Sequence, residues 1–208
     1  VYEYLYSRYN NPGKRIVLRR EKGLNEPLTS TNARNFAIDF CLQNLNLEDD
    51  EYLTFIDSDD LLVNLEKRIE CLLIENPDFA YMNSLLFFDK SDIAFEWIGL
   101  ETNKAYKNFW VYGGMPYPTM TWKISFLKRL KEYTKTNFNI SGPFDPNIGC
   151  GEDVDIALSS FEVLIRYKLK ISFFPFIATA YRIHNHSLAT IRSQSRRSKE
   201  EMIVIRRH

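Results

Sequence analysis

Short apolar runs and longer stretches of helical period alternate along almost the whole chain, and that alternation limits the fold more than any other feature. "RIVLRR" (Arg15–Arg20), "YLTFI" (Tyr52–Ile56), "FAYMNSLLFFD" (Phe79–Asp89), the stretch near Thr119–Lys123 and "ISFFPFIATAYRIH" (Ile171–His184) read as strands, the last as a strand pair or one kinked strand. Between them, Ser30–Leu45, the stretch after Asp57 towards Pro77, the segment up to Tyr133, and the end of Gly142–Lys168 read as helices. Ser30, Thr31 or Asn32 can cap the first of these helices. Strands alternating with helices predict an α/β sheet with helices on its faces. Val1–Tyr9 reads as a helix, because Tyr2, Leu5, Tyr6 and Tyr9 fall at helical spacing; "NNPG" (Asn10–Gly13) reads as a turn.

A length of 208 residues suits one such domain with a short tail. Lys+Arg and Asp+Glu are equal at 27 each, so no overall field points to nucleic acid. Cys41, Cys71 and Cys150 are widely spaced and odd in number, which argues against a disulfide framework and for a reducing compartment. No signal peptide is visible, and "ISFFPFIATAY" is too short to span a bilayer. The opening Val1 suggests a fragment of a longer protein.

The greasy run "YLTFI" stops at Asp57, Ser58, Asp59 and Asp60. In open α/β sheets, ligands sit outside the carboxyl ends of strands. Alternate carboxylates on a tight turn can converge on Mg²⁺ or Mn²⁺, hard cations that commonly bridge acids to substrate phosphates. A plainer role, capping the following helix, is assigned to Asp60. Downstream, "GPFDPNIGCGEDVDIAL" sets Glu152 and Asp153 at a helix start just after Gly149 and Gly151. Taken alone, the pair reads as helix-terminal charge; a carboxylate there also suits a general base. In "YRIHNHSLA", His184 and His186 would share a face of a strand, and His is a common metal ligand.

The order and spacing of "NARNFAIDF", "YLTFIDSDD", "SGPFDPNIGCGEDVDIAL" and "YRIHNHSLA" resemble glycosyltransferase family 2, the inverting GT-A type nucleotide-sugar transferases. The resemblance runs from about Arg15 to about Ala189. It implies a Rossmann-like mixed sheet with helices on both faces, residues 1–190 forming a catalytic domain that lacks its N-terminal strands, and 191–208 a charged helix or tail. It implies an enzyme that moves a sugar from a nucleotide-diphosphate donor to a saccharide or lipid-linked acceptor, in surface polysaccharide or glycolipid synthesis. Asp57 and Asp59 match the family's DxD motif, with Asp59 on a Mn²⁺ or Mg²⁺ ion and Asp57 near the metal or the ribose. Asp153 matches the catalytic base and Glu152 its support. Arg34 matches a position facing the nucleotide, His184 one that reaches the metal or the diphosphate, and Arg182 assists. The family's opening strands, which grip the base and ribose, are missing. Their loss implies an exposed sheet edge and poor stability when the chain is made alone.

Two further stretches stay open. Trp97, Trp110, Tyr112, Tyr117 and Trp122 read equally as sugar-stacking walls or as core. Arg192, Arg196, Arg197, Lys199, Arg206 and Arg207 beside Met202–Ile205 read as a solvated helix, or as a basic amphipathic helix in peripheral contact with a membrane. The expected location is the cytoplasm, at the inner face of the membrane in the second case. The alternative function is a non-catalytic binding or assembly module of the same fold. A nucleotidyltransferase, which would release pyrophosphate, is a third class; the Gly-rich basic loop such enzymes carry is not visible.

Overall fold

The computed structural model describes residues 2–8, 14–20, 29–88, 93–101, 115–149, 151–184, 203–204 and 207–208. In chain order the elements are β1 (Tyr2–Arg8), β2 (Lys14–Arg20), α1 (Ser30–Asn44), β3 (Tyr52–Thr54), β4 (Leu61–Leu62), α2 (Leu65–Glu75), β5 (Phe79–Phe88) and β6 (Ala94–Trp97). A 3₁₀ turn (Tyr117–Thr119), β7 (Thr121–Lys123), α3 (Ile124–Phe138), α4 (Glu152–Tyr167) and β8 (Ile171–Ile183) follow.

β1 and β2 pair antiparallel, from Tyr2 opposite Arg20 to Arg8 opposite Lys14. The helix expected over Val1–Tyr9 is therefore a strand. The same letters, Tyr2, Tyr4 and Tyr6, also repeat every second residue, and aromatic residues favour extended backbone. The turn expected at Asn10–Gly13 lies outside the described residues.

The main sheet has the order β3-β7-β5-β8-β4, with β6 also paired to β5. β5 and β8 run parallel, while β7 is antiparallel to both β5 and β3, so β3, β5 and β8 all point the same way. The sheet is mixed and carries helices, in line with the α/β sheet that the alternation predicts. β5 holds its centre because both faces of it are apolar. Phe79 and Tyr81 enter the larger core, and Ala80 and Met82 the smaller one. Helices cover the two faces: α3 and α4 bury Phe126, Leu127, Leu130, Ile156 and Phe161 in the larger core, and α2 buries Leu72 in the smaller.

β8 is one strand with a register break. Phe174 sits opposite Met82 and Ile177 opposite Asn83, so Pro175 and Phe176 have no partners in the ladder. Proline has no N–H to give a ladder, so the break falls where the sequence can tolerate it. β3 is shorter than the run "YLTFI" and only half-buried, with Ile56 40 % exposed. Tyr117 and Trp122 are buried in the larger core, which settles them as core rather than open stacking surfaces; Trp97 is half-buried. Trp110 and Tyr112 lie outside the described residues. Cys41 and Cys71 are free thiols. Among the described residues, no helix is long and apolar enough to cross a membrane.

Candidate active site at the carboxyl edge of the sheet

Because β3, β5 and β8 share a direction, the residues leaving β3 and β8 emerge at one edge of the sheet. The turn Asp57–Asp60 and His184 meet there: His184 Nε2 lies 2.8 Å from Asp59 Oδ2. Asp60 is not a helix cap. It is buried, and its Oδ1 accepts the backbone N–H of Arg182 at 2.9 Å. The helix that follows begins only after β4, with Asn64 at its cap position. The Asp60 carboxyl thus ties the acidic turn to β8. Arg182 contributes through its backbone, and its side chain is exposed.

Arg34 comes from α1, whose true cap is Thr29, accepting the N–H of Asn32 at 3.2 Å. The Arg34 guanidinium is buried and spans two acids. Nη2 donates to Asp57 Oδ1 at 2.9 Å and Nη1 to Glu152 Oε1 at 3.4 Å. It lies 4.7 Å from the Tyr117 ring centroid and 5.7 Å from that of Phe144. Burial works against its charge, but Tyr117, Asp57 and Glu152 outweigh burial and raise its pKa.

Glu152 opens α4 behind Gly151, whose φ of +94° is the left-handed conformation that favours glycine. Ser30 Oγ donates to Glu152 Oε1 at 3.2 Å. Burial first, then the neighbouring Asp153, raise the pKa of Glu152 against the pull of Arg34 and Ser30. Asp153 Oδ1 accepts the N–H of Val154 at 2.9 Å. The charge of Asp153 is felt, together with that of Asp57, at both Tyr117 and Tyr181. A second close approach fixes the loop before α4. Asn35 donates to Phe144 O at 2.6 Å and accepts from Phe144 N at 3.0 Å, and a Cβ on Gly142 would strike the Asn35 side chain.

The acidic turn is also held from below. Arg68, fully buried on α2, uses Nη2 to bridge Thr54 Oγ1 (2.9 Å), Thr119 O (2.6 Å) and Thr121 Oγ1 (2.8 Å). It locks the end of β3 to β7, and burial lowers its pKa to about 10.

The site brings together Arg34, Asp57 and Glu152, and separately Asp59 and His184, with Arg182 and Asp60 beside them. Ser30, Asn35, Asp60, Arg68, Phe144 and Tyr181 were not read as site residues. Ser30 and Asp60 carried a signal only for a different role, as cap candidates. His186 lies outside the described residues.

The donor types suit a hard divalent cation: carboxylate oxygens and an imidazole. Among the described residues, no three acidic, histidine or cysteine side chains are already gathered as a metal centre, because Asp57 faces Arg34. The local charge nevertheless calls for a cation. Asp60 Oδ2 is buried without a hydrogen-bond partner. Burial, then repulsion from Asp57 and Asp59, push the Asp60 carboxyl up to about 6 even though the Arg182 N–H opposes the shift. Asp59 and His184 fit such an ion, with Asp57 joining if it turns from Arg34.

No protein-family model and no curated protein matches the chain.

Proposed function

We propose that this chain carries the donor-diphosphate and base positions of a metal-dependent, inverting glycosyltransferase acting in the cytoplasm. Its donor is a nucleotide-diphosphate sugar, and its acceptor a saccharide or lipid-linked hydroxyl in surface polysaccharide or glycolipid synthesis. One observation carries the reading. Two acidic motifs almost a hundred residues apart, Asp57–Asp59 and Glu152–Asp153, meet across the buried guanidinium of Arg34, with His184 on Asp59.

Asp59 and His184 would hold the Mn²⁺ or Mg²⁺ ion, which supplies charge neutralisation for the departing diphosphate. Arg34 holds Asp57 and Glu152 in register and screens their repulsion. Ser30 and Arg34 orient Glu152, and Asp153 beside it at the first turn of α4 takes the proton from the acceptor hydroxyl. Tyr117 and Phe144 back the guanidinium and keep water from it.

Asp153→Asn is expected to lower transfer by about 10²–10⁴-fold while donor binding persists. Asp59→Ala is expected to abolish cation-dependent donor binding by calorimetry. Normal transfer by Asp153→Asn would defeat the base assignment. A second reading, a non-catalytic module, draws on the Arg34–Asp57 and His184–Asp59 pairs, which satisfy these acids within the protein. It predicts neither transfer nor hydrolysis with any nucleotide sugar, with or without metal.

A further inference from the structure

Ile203, Val204 and Arg207 lie in helical backbone, and His208 N–H reaches back to Val204 O at 3.2 Å. Val204 is buried in the larger core. The two residues that follow this turn meet acids next to the candidate site. Arg207 Nη1 donates to both oxygens of Asp155, at 2.9 and 3.0 Å, and its Nη2 donates to Asp145. His208 sets Nε2 3.2 Å from Asp155 Oδ1 and Nδ1 3.1 Å from Glu162 Oε1. The Phe138 ring lies beside both cations. Asp145, Asp155 and His208 each keep only 3 % of their side-chain surface exposed.

These acids sit on the frame that carries Glu152 and Asp153. Asp145 Oδ1 accepts from the backbone and side-chain nitrogens of Asn147, and Asp145 O accepts from Ile148 N. It thereby shapes the turn leading to Gly151. Its neighbour Phe144 faces Arg34. Asp155 N donates to Gly151 O at 2.9 Å, the bond that starts α4.

We propose that Arg207 and His208 are positioning residues that latch Asp145 and Asp155, and so hold the loop and first turn that present Glu152 and Asp153. Removing Arg207 takes the cation from the buried Asp145 carboxylate, which the loop can relieve only by opening to water, whereas removing His208 leaves Asp155 on Arg207 and loosens the latch less. His208 makes the latch sensitive to pH. Burial opposes its charge, but the contacts with the Asp155 and Glu162 carboxylates and their negative charges prevail, so its pKa is raised. The charged and titratable groups around it are Asp155 and Glu162 from α4, Asp145 from the loop and Arg207 beside it. From α3, Tyr133 donates to the other Glu162 oxygen at 2.8 Å, and Arg166 of α4 lies over the Tyr133 ring. The His208 contribution is complete below the ordinary histidine pKa and is lost as pH rises through the raised folded value.

Local hydrogen exchange on the full chain tests this, reported as protection relative to intrinsic rates. Arg207→Ala is expected to lower protection of residues 145–158 at least tenfold, with the β5 and β8 amides within threefold of wild type. His208→Gln, which cannot ionise, is expected to remove the pH dependence of protection in 145–158 and to match the wild type at high pH. Arg207→Lys is expected to recover part of the protection. A uniform loss across the chain, or no change in 145–158, would overturn the latch. If Arg207→Ala fails to fold, the pH comparison with His208→Gln decides alone. The catalytic consequence rests on the proposed function: kcat should fall with donor KM within twofold of wild type. The exchange readout needs no substrate. A chain without transferase activity that shows the local pattern loses the proposed function and keeps the latch; an active transferase with uniform exchange loses the latch.

Discussion

Asp145 and Asp155 are buried with Arg207 against both of them and His208 beside Asp155, whereas Asp57, Asp59 and Asp60 crowd a turn where, among the described residues, Arg34 pairs with Asp57 and His184 with Asp59. The first group is dry and neutralised from within. The second is half-open: the Asp57 and Asp59 side chains keep 49 % and 38 % of their surface. It also contains a buried Asp60 oxygen with no partner. A protein gains nothing for its fold by leaving charge unbalanced at a turn. The contrast therefore separates acids neutralised inside the fold from acids whose charge is left partly exposed, although both groups look alike as letters.

Four outcomes would sharpen or break that contrast. The largest concerns the paired group. Asp155→Ala strands Arg207 and His208 and should cost about 3–5 kcal/mol, a drop in Tm of about 6–20 °C. Asp59→Ala should stay within about 1 kcal/mol of wild type in the same melts without metal; equal losses for both variants would erase the distinction. Next, Mn²⁺ at a hundred times its Kd should stabilise the wild type by about 2.7 kcal/mol. Asp59→Ala should lose that increment, and Asp145→Asn, though less stable itself, should retain it. A smaller effect concerns Asp60, whose folded pKa is raised to about 6. A carboxyl raised in this way favours the fold below the ordinary aspartate value near 4, and that advantage fades as pH climbs through about 6. In urea titrations without metal, Asp60→Asn should therefore gain about 1 kcal/mol on wild type at pH 7 and nothing at pH 4. A gain at both values would mean that packing, not ionisation, decides the site. Smallest of all, Lys128→Ala breaks an exposed pair with Asp49 and should change stability by less than about 1 kcal/mol.

Much of the sheet could be read directly from the letters, because β5 and β8 are apolar runs rich in aromatic and β-branched residues, and α1 and α4 are longer stretches of helical length. At the amino-terminal end, two periods coexist in "VYEYLYSRY", and pairing with β2 favours the extended one. Among the site residues, Arg34, Asp57, Asp59, Glu152 and His184 do come together in two contacting groups. Asp60 could not be placed correctly, since its partner is a backbone N–H 122 residues away. Arg68 and Arg207 were equally opaque. A lone cation in a helical stretch looks solvated until the fold supplies the threonines or aspartates that surround it. Sequence reading finds acids that share a turn; it does not find the cation that comes from another element.

The bond linking Ser30 to Glu152 spans 122 positions, that between Asn35 and Phe144 spans 109, and that between His184 and Asp59 spans 125. Contacts so distant along the chain need large loops to close before they return any stabilisation, so they belong to the late, slow part of refolding. Helical circular dichroism should accordingly recover before Mn²⁺ binding does when the denatured chain is diluted into buffer. On the proposed function, competence to bind the ion then becomes a clock for completion: a nascent or partly folded chain can display its strands and helices, yet remain unable to engage a ligand until these distant segments have met.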